Sequence, residues 1–105
     1  MTCDYRDYTN YPHRVGDVYR LGESEDAWYY ILAMVEGDPV NDDWLKYALI
    51  SLNGGNRWVE PITLDRDSER PCDALSEEEF SALVGHEERE AFVKVPGKLY
   101  FSPLH

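Results

Sequence analysis

The chain has 105 residues, which is room for one domain built around one modest hydrophobic core. Its 21 acidic residues outnumber its 10 basic residues, so the formal net charge at pH 7 is −11. A chain this acidic is poorly suited to bind nucleic acid phosphates or anionic membranes directly. No apolar stretch approaches the roughly 20 residues that cross a bilayer. The first residues also lack the apolar core of a secretory signal, so we expect a soluble intracellular protein.

Three apolar segments, residues 28–35, 45–52 and 58–64, predict an antiparallel β-meander that carries most of the core. The first segment begins with three aromatic residues, which fit a pleated surface. The second is apolar on both faces, as expected where a small sheet curls on itself. The sequence NGGN at residues 53–56 predicts a tight turn, because Asn and Gly tolerate positive φ. Pro61 lacks an amide donor, so the third strand should lie at an edge or be interrupted there.

A first strand over residues 15–21, a last strand over residues 91–95 and one helix complete the predicted elements. Ser76 is a favourable N-cap and Glu79 follows three residues later, which forms a capping box. Phe80 begins the apolar stripe of the helix, and Gly85 is a suitable residue to end it. We therefore predict a helix over residues 77–84.

These elements predict a mainly β (α+β) fold, namely a small SH3-like antiparallel β-barrel of four or five strands with one short helix near residues 77–84. We divide the chain into a tyrosine-rich N-terminal arm (1–14), a single β-barrel domain with the helix (15–95) and a C-terminal tail (96–105). The arm either packs on the barrel or offers its tyrosines to a partner.

The two cysteines, Cys3 and Cys72, lie far apart in the sequence and form no metal-type pair. We expect two reduced thiols, as in a cytosolic protein. A single bridge between Cys3 and Cys72 is the alternative.

The sequence contains no catalytic motif and no Gly-rich phosphate loop. The histidines are not spaced as metal ligands. Cys3 and Cys72 could each meet His13 in the fold as a nucleophile with its base, but nothing in the local sequence supports such a pair. A divalent cation site on the acidic loop near residue 40 would have suitable oxygen atoms, but the loop lacks the spacing of an EF-hand. We therefore predict a protein that is not an enzyme and has no catalytic residue, cofactor or metal.

The negative charge is concentrated in two clusters. Residues 21–45 contain seven acids and no Lys or Arg, and residues 73–90 contain seven acids and one arginine. Such clusters suit a basic partner, and an exposed tryptophan beside one of them would be an apolar anchor. The predicted partner-binding residues are Glu36, Asp38, Asp42, Asp43, Trp44, Glu77, Glu78, Glu87 and Glu88.

Three sequences, GDVY at 16–19, YILA at 30–33 and ALISLNGGNRW at 48–58, precede the acidic helix. Together they resemble small uncharacterised acidic bacteriophage proteins with an SH3-like β-barrel, over residues 15–95. The resemblance carries over no catalytic residue. It implies a protein of the host cytoplasm that binds and inhibits a host protein, such as a nucleic-acid-binding or defence protein.

The first functional hypothesis is a non-enzymatic phage-type accessory protein that binds a basic surface of a host protein and inhibits it, as an anti-defence protein or a nucleic-acid mimic. The second is a protein that sequesters a nucleotide signal. Aromatic rings would stack on the base, and one of four arginines would hold phosphate, namely Arg14, Arg20, Arg57 or Arg66. The third is a structural or assembly component of the virion that self-associates through an edge strand.

Overall fold

The structure is a computed structural model that describes residues 8–22, 27–38, 41–54, 59–65 and 70–95. The elements, in chain order, are β1 (His13–Arg14), β2 (Val18–Leu21), β3 (Trp28–Glu36), β4 (Trp44–Ser51), β5 (Ile62–Asp65), β6 (Ala74–Leu75), α1 (Glu77–Val84), a short 3-10 helix (Arg89–Ala91) and β7 (Phe92–Lys94). Within these ranges, no helix has the length and apolarity that crossing a bilayer requires.

Five antiparallel strands form one sheet in the order β5-β4-β3-β2-β7, and the sheet curls into a half-barrel. The two shortest strands, β1 and β6, pair separately. The consecutive neighbours β3, β4 and β5 form the predicted meander, β2 pairs with β3, and β7 returns to pair with β2. The prediction of a mainly β fold with one helix is therefore confirmed.

The pairing of β4 with β5 has a register that is consistent with the turn predicted over residues 53–56. Tyr47 pairs with Ile62 and Trp44 pairs with Asp65. The paired positions are therefore symmetric in sequence about the point between positions 54 and 55. The strand predicted over residues 58–64 is corrected, because β5 begins at Ile62, directly after Pro61. β5 also lies at the edge of the sheet, where the missing amide donor of Pro61 is tolerated. Residues 55–58 lie outside the described ranges.

The strand predicted over residues 15–21 begins later, at Val18. The backbone N–H of Arg14 donates to Asp17 Oδ2 at 2.8 Å, and the N–H of Asp17 donates to Arg14 O at 2.9 Å. These bonds close a turn over residues 14–17, where Gly16 has a φ of 100°. Because the Asp17 side chain holds residues 14–17 in a turn, β2 begins only at Val18.

The helix has the predicted bounds and the predicted cap. The Ser76 side chain accepts from the Glu79 N–H at 3.1 Å, and Glu79 Oε1 accepts from the Ser76 N–H at 2.8 Å. Gly85 ends the helix with a φ of 91°. The cap places Phe80 and the rest of the apolar stripe against the inner face of the sheet.

The core lies between α1 and the inner face of the half-barrel. Its largest fully buried side chains include three tyrosines, Tyr19, Tyr30 and Tyr47. A buried hydroxyl needs a partner, and Tyr47 donates to the backbone oxygen of Cys72 at 2.7 Å. This bond fixes the segment before β6 against β4.

Cys72 is buried and disulfide-bonded, so the expectation of a reduced thiol is wrong for this residue. The chain's other cysteine, Cys3, lies outside the described residues. The sequence could not decide between thiol and bridge, because that choice depends on which segments the fold brings close together.

Candidate functional site

Trp44 is an exposed aromatic residue at the end of the sheet that carries the acidic loop. It opens β4, its side chain is 37% exposed, and it pairs across the strands with Asp65, the last residue of edge strand β5. Asp43, which is also exposed, precedes it directly. The indole therefore has an exposed carboxylate before it in the chain and another opposite it in the sheet.

Two of the predicted loop acids shape the loop itself. Asp42 Oδ2 accepts from the backbone N–H of Asp38 at 2.7 Å, and the N–H of Asp42 donates to Asp38 O at 2.9 Å. Asn41 Nδ2 donates to Asp38 Oδ2 at 2.7 Å. Such side-chain to backbone bonds hold a loop in one conformation. Asp38 and Asp42 therefore position the loop, whereas the side chains of Asp43 and Trp44 are exposed to solvent.

A β-bulge and a glycine bring the two ends of this loop together. The register of β3 against β4 shifts between Met34 and Glu36, and Gly37 follows with a φ of 102°. A Cβ atom on Gly37 would lie 2.6 Å from Trp44 O, which is backbone. Only glycine can adopt this positive φ while its Cα atom lies so close to the backbone of Trp44. Beside the bulge, Lys46 pairs with Glu36 at 2.9 Å.

Gly37→Ala should lower the free energy of unfolding by about 2–3 kcal/mol, because it adds a backbone clash to an unfavourable φ. Gly16→Ala is the matched control: its φ is 100°, but its Cβ would meet nothing within 4 Å. We expect the control to cost only about 1 kcal/mol. Urea unfolding followed by tryptophan fluorescence measures both, and equal losses would contradict the close approach.

Of the predicted helix acids, Glu77 is exposed at the surface but is engaged in hydrogen bonds within the molecule. Arg89 Nη2 donates to Glu77 Oε1 at 2.8 Å, and Ser81 Oγ donates to Oε2 at 3.1 Å. The hydrogen bond from the Arg89 guanidinium is the main reason why the pKa of Glu77 falls to about 2. Glu78 and Glu87 are exposed and Glu88 is half-buried. Within the described ranges, no Lys or Arg lies at ion-pair distance from Glu78 or Glu87.

Glu77 also belongs to a cluster with two buried residues, which the sequence did not indicate. His13 is 3% exposed, its Nδ1 lies 2.6 Å from Tyr19 Oη, and its Nε2 lies 3.0 Å from Glu77 Oε1. Burial lowers the pKa of His13 and raises the pKa of Tyr19, so the imidazole is neutral and the phenol keeps its proton. Tyr19 therefore donates to Nδ1, and Nε2–H donates to the Glu77 carboxylate.

This cluster holds the fold together. A tyrosine, a histidine and a carboxylate in a row resemble a proton relay, but a catalytic group must reach its substrate. Tyr19 is 0% exposed, and the His13 ring stacks on Phe80 with a centroid distance of 4.2 Å. The cluster therefore joins β1, β2 and α1. No local sequence pattern indicates this cluster, because Glu77 lies 64 residues after His13.

The cluster predicts that stability falls as the pH is lowered. The folded-state pKa of Glu77 lies below its ordinary value, so its contribution is present above about pH 4.5 and is lost as the pH falls toward 2. The folded-state pKa of His13 is also lowered, despite the carboxylate of Glu77, so protons bind preferentially to the unfolded chain below about pH 6.5. The other charged groups that act on His13, Arg89 and Lys94, also disfavour its protonation.

The free energy of unfolding should therefore decrease from pH 7 to pH 5, and decrease further from pH 5 to pH 3. Urea unfolding at the three pH values tests this expectation. His13→Gln should remove the decrease between pH 7 and pH 5 and leave the lower step, since Gln does not titrate. Stability that rises on acidification would contradict the assigned proton positions.

Most of the positive charge in the described ranges is paired internally. Arg70 pairs with Glu79 and Arg89 with Glu77, while Lys94 Nζ lies 3.0 Å from Asp17 and Lys46 pairs with Glu36. These four are among six basic residues in that part of the chain. The exposed acids thus dominate the outward charge there.

The arginines considered for phosphate binding are placed as follows. The Arg14 guanidinium lies 4.1 Å from the centroid of the Tyr8 ring, and Arg20 Nε donates to Gly22 O at 2.9 Å. Arg57 and Arg66 lie outside the described residues. In the part of the chain that the structure describes, no three His, Cys, Asp or Glu side chains are grouped as metal ligands would be.

Comparison with known proteins gave no match to a family model, to a curated protein or to a solved structure. The functional argument therefore depends on the residues of this chain.

Proposed function

We propose that this protein is a non-enzymatic, phage-type accessory protein that binds a basic surface of a host protein and inhibits it. The exposed Trp44, with Asp43 before it and Asp65 opposite it, is the observation that carries the proposal. Tryptophan is enriched among residues that dominate binding energy, and flanking carboxylates select a basic partner. The partner that fits this surface is a nucleic-acid-binding or defence protein of the host.

The charge distribution supports an inhibitor that takes the place of nucleic acid. The net charge is −11, and the described Lys and Arg residues are mostly committed to internal ion pairs. Such a molecule attracts a basic surface at long range, so association should be fast and sensitive to salt. We also infer an SH3-like barrel, and the return of β7 to pair with β2 in the half-barrel supports it.

Trp44→Ala should weaken partner binding by at least tenfold, because it removes the apolar anchor. Asp43→Asn should weaken it by about three- to fivefold and reduce the salt dependence. Glu90→Gln is the matched control, since Glu90 is exposed and outside the predicted surface. The assay captures host proteins from lysate with tagged protein, purifies the retained species and measures its dissociation constant with each variant.

All variants must keep the wild-type circular dichroism spectrum, which separates lost binding from lost folding. If Trp44→Ala and Glu90→Gln bind as the wild type does, the Trp44 surface is not the interface. Asp38 and Asp42 are avoided as first targets, because their carboxylates hold the loop.

A second candidate function, sequestration of a nucleotide signal, has one observation in its favour. Tyr29 and Arg20 pair across β3 and β2, so an aromatic ring and a guanidinium lie side by side on the outer face of the sheet. A base could stack on the ring while the arginine holds phosphate. Native mass spectrometry of purified protein tests this, since a retained nucleotide would add its mass.

A further inference from the structure

A groove with a volume of about 350 Å³ lies between the last turn of α1 and the segment that leads into β5. Its two walls are formed by Val59, Glu60, Pro61 and Ile62, and by Ala82, Leu83, Val84 and Gly85. The walls are apolar except for the backbone and the carboxylate of Glu60. The groove is open to solvent and separate in sequence from the Trp44 loop.

Two sources of negative charge border this groove. The last carbonyls of α1 have no partner within the helix and carry the negative end of its dipole. No basic residue lies in the last turn to neutralise them. Glu60 is exposed, and no Lys or Arg of the described ranges lies at ion-pair distance from it. Among the described residues, the groove therefore combines apolar side chains with negative charge that no Lys or Arg pairs with.

We propose that this groove binds a lysine or arginine side chain of the basic protein partner. Such a side chain has an apolar stem and a cationic head. The stem packs against Val59, Ile62 and Val84, and the head meets the Glu60 carboxylate and the carbonyls at the end of the helix. Arginine fits better than lysine, because its planar fork can donate to several acceptors at once. The inference rests on the proposed function, since it supplies a second contact with the same partner.

The test uses a hexa-arginine peptide as probe, with ¹⁵N-labelled full-length protein and chemical-shift titration. Glu60→Gln should weaken peptide binding about five- to tenfold, because it removes a charge-assisted hydrogen bond. Ala82→Trp should weaken it similarly by filling the groove from an exposed helix position. Glu90→Gln removes the same charge outside the groove and should change binding less than twofold. The largest shifts in the wild-type protein should lie at residues 59–62 and 82–85.

Equal weakening by Glu60→Gln and Glu90→Gln, or shifts confined to other residues, would overturn the groove site while leaving the proposed function standing. A wild-type protein that does not bind the peptide at low salt would overturn the proposed function itself. N-acetyl-arginine amide is titrated in parallel. If this free cation binds as tightly as the peptide, the groove is a small-molecule site and the assignment to a protein side chain is wrong.

Discussion

Phe80→Ala should lower the free energy of unfolding by about 3–5 kcal/mol. Phe80 is 0% exposed, and both the His13 and Tyr19 rings stack on it, with centroid distances of 4.2 and 4.5 Å. The Arg89 guanidinium lies 4.8 Å from its centroid. Removing the ring leaves a cavity at the point where the N-terminal strand, the first strand of the sheet and the helix meet. Chemical denaturation, with the m-value compared, measures the loss.

A loss this large is a substantial fraction of the stability of a small domain. Phe80→Leu keeps most of the buried apolar volume but removes the ring contacts, so we expect it to cost about 1–1.5 kcal/mol. It therefore serves as a folded variant even if Phe80→Ala unfolds. A Phe80→Ala loss below about 1 kcal/mol would show that the three elements do not depend on this ring.

Arg70→Ala should lower the free energy of unfolding by about 2–3 kcal/mol. The side chains of Arg70 and Glu79 are only 13% and 21% exposed, and Arg70 Nη2 donates to Glu79 Oε1 at 2.8 Å and to Ala74 O at 3.0 Å. Without Arg70, the carboxylate that completes the helix cap is left without its cation. Burial alone would raise the pKa of Glu79, but its hydrogen bonds from Arg70 and from the Ser76 N–H lower it overall.

Arg70→Lys is the informative comparison, because lysine keeps the positive charge but cannot form the bidentate hydrogen bond to the Glu79 carboxylate. We expect about half the loss of Arg70→Ala. Arg70→Ala should also raise the pKa of Glu79, which NMR titration of its carboxyl carbon follows. If the pKa of Glu79 is unchanged in Arg70→Ala, or if the free energy of unfolding falls by less than about 0.5 kcal/mol, the ion pair is solvated and contributes little to stability.

Local signals in the sequence predicted much of the fold. The capping box at Ser76 and Glu79 predicted the start of α1 and Gly85 predicted its end, while Pro61 indicated the edge position of β5. The register of β4 against β5 is consistent with the turn predicted over residues 53–56, of which residues 55 and 56 lie outside the described ranges. Each of these signals depends on neighbouring residues, which a single sequence displays.

The features that the sequence did not reveal depend on contacts between distant segments. His13 meets Glu77, and Tyr8 donates to Asp73 at 2.8 Å, only because β1 pairs with β6. Similarly, the sequence shows Glu77 as one of three acids in the first turn of the helix, and only the structure shows that Arg89 donates hydrogen bonds to it. Charge patterning therefore located the acidic clusters, but it could not separate acids that are free at the surface from acids that are bonded within the fold.

The proposed interface therefore includes only some of the acids that charge patterning indicated. Glu77, Asp38 and Asp42 are engaged within the molecule, whereas Asp43 and Trp44 present exposed groups at one end of the sheet. A rigid scaffold that presents one aromatic anchor within a negative field suits recognition of a basic surface.

The measurement that tests this account most directly is elution by a salt gradient of host proteins captured on the immobilised wild-type protein, with the Trp44→Ala variant run in parallel. We expect a basic protein that the wild type retains at low salt and releases at moderate salt, that competing nucleic acid displaces, and that Trp44→Ala fails to retain. A retained protein that is acidic, that resists high salt, or that both proteins capture equally would contradict the account. Retention of no protein at low salt would contradict it as well.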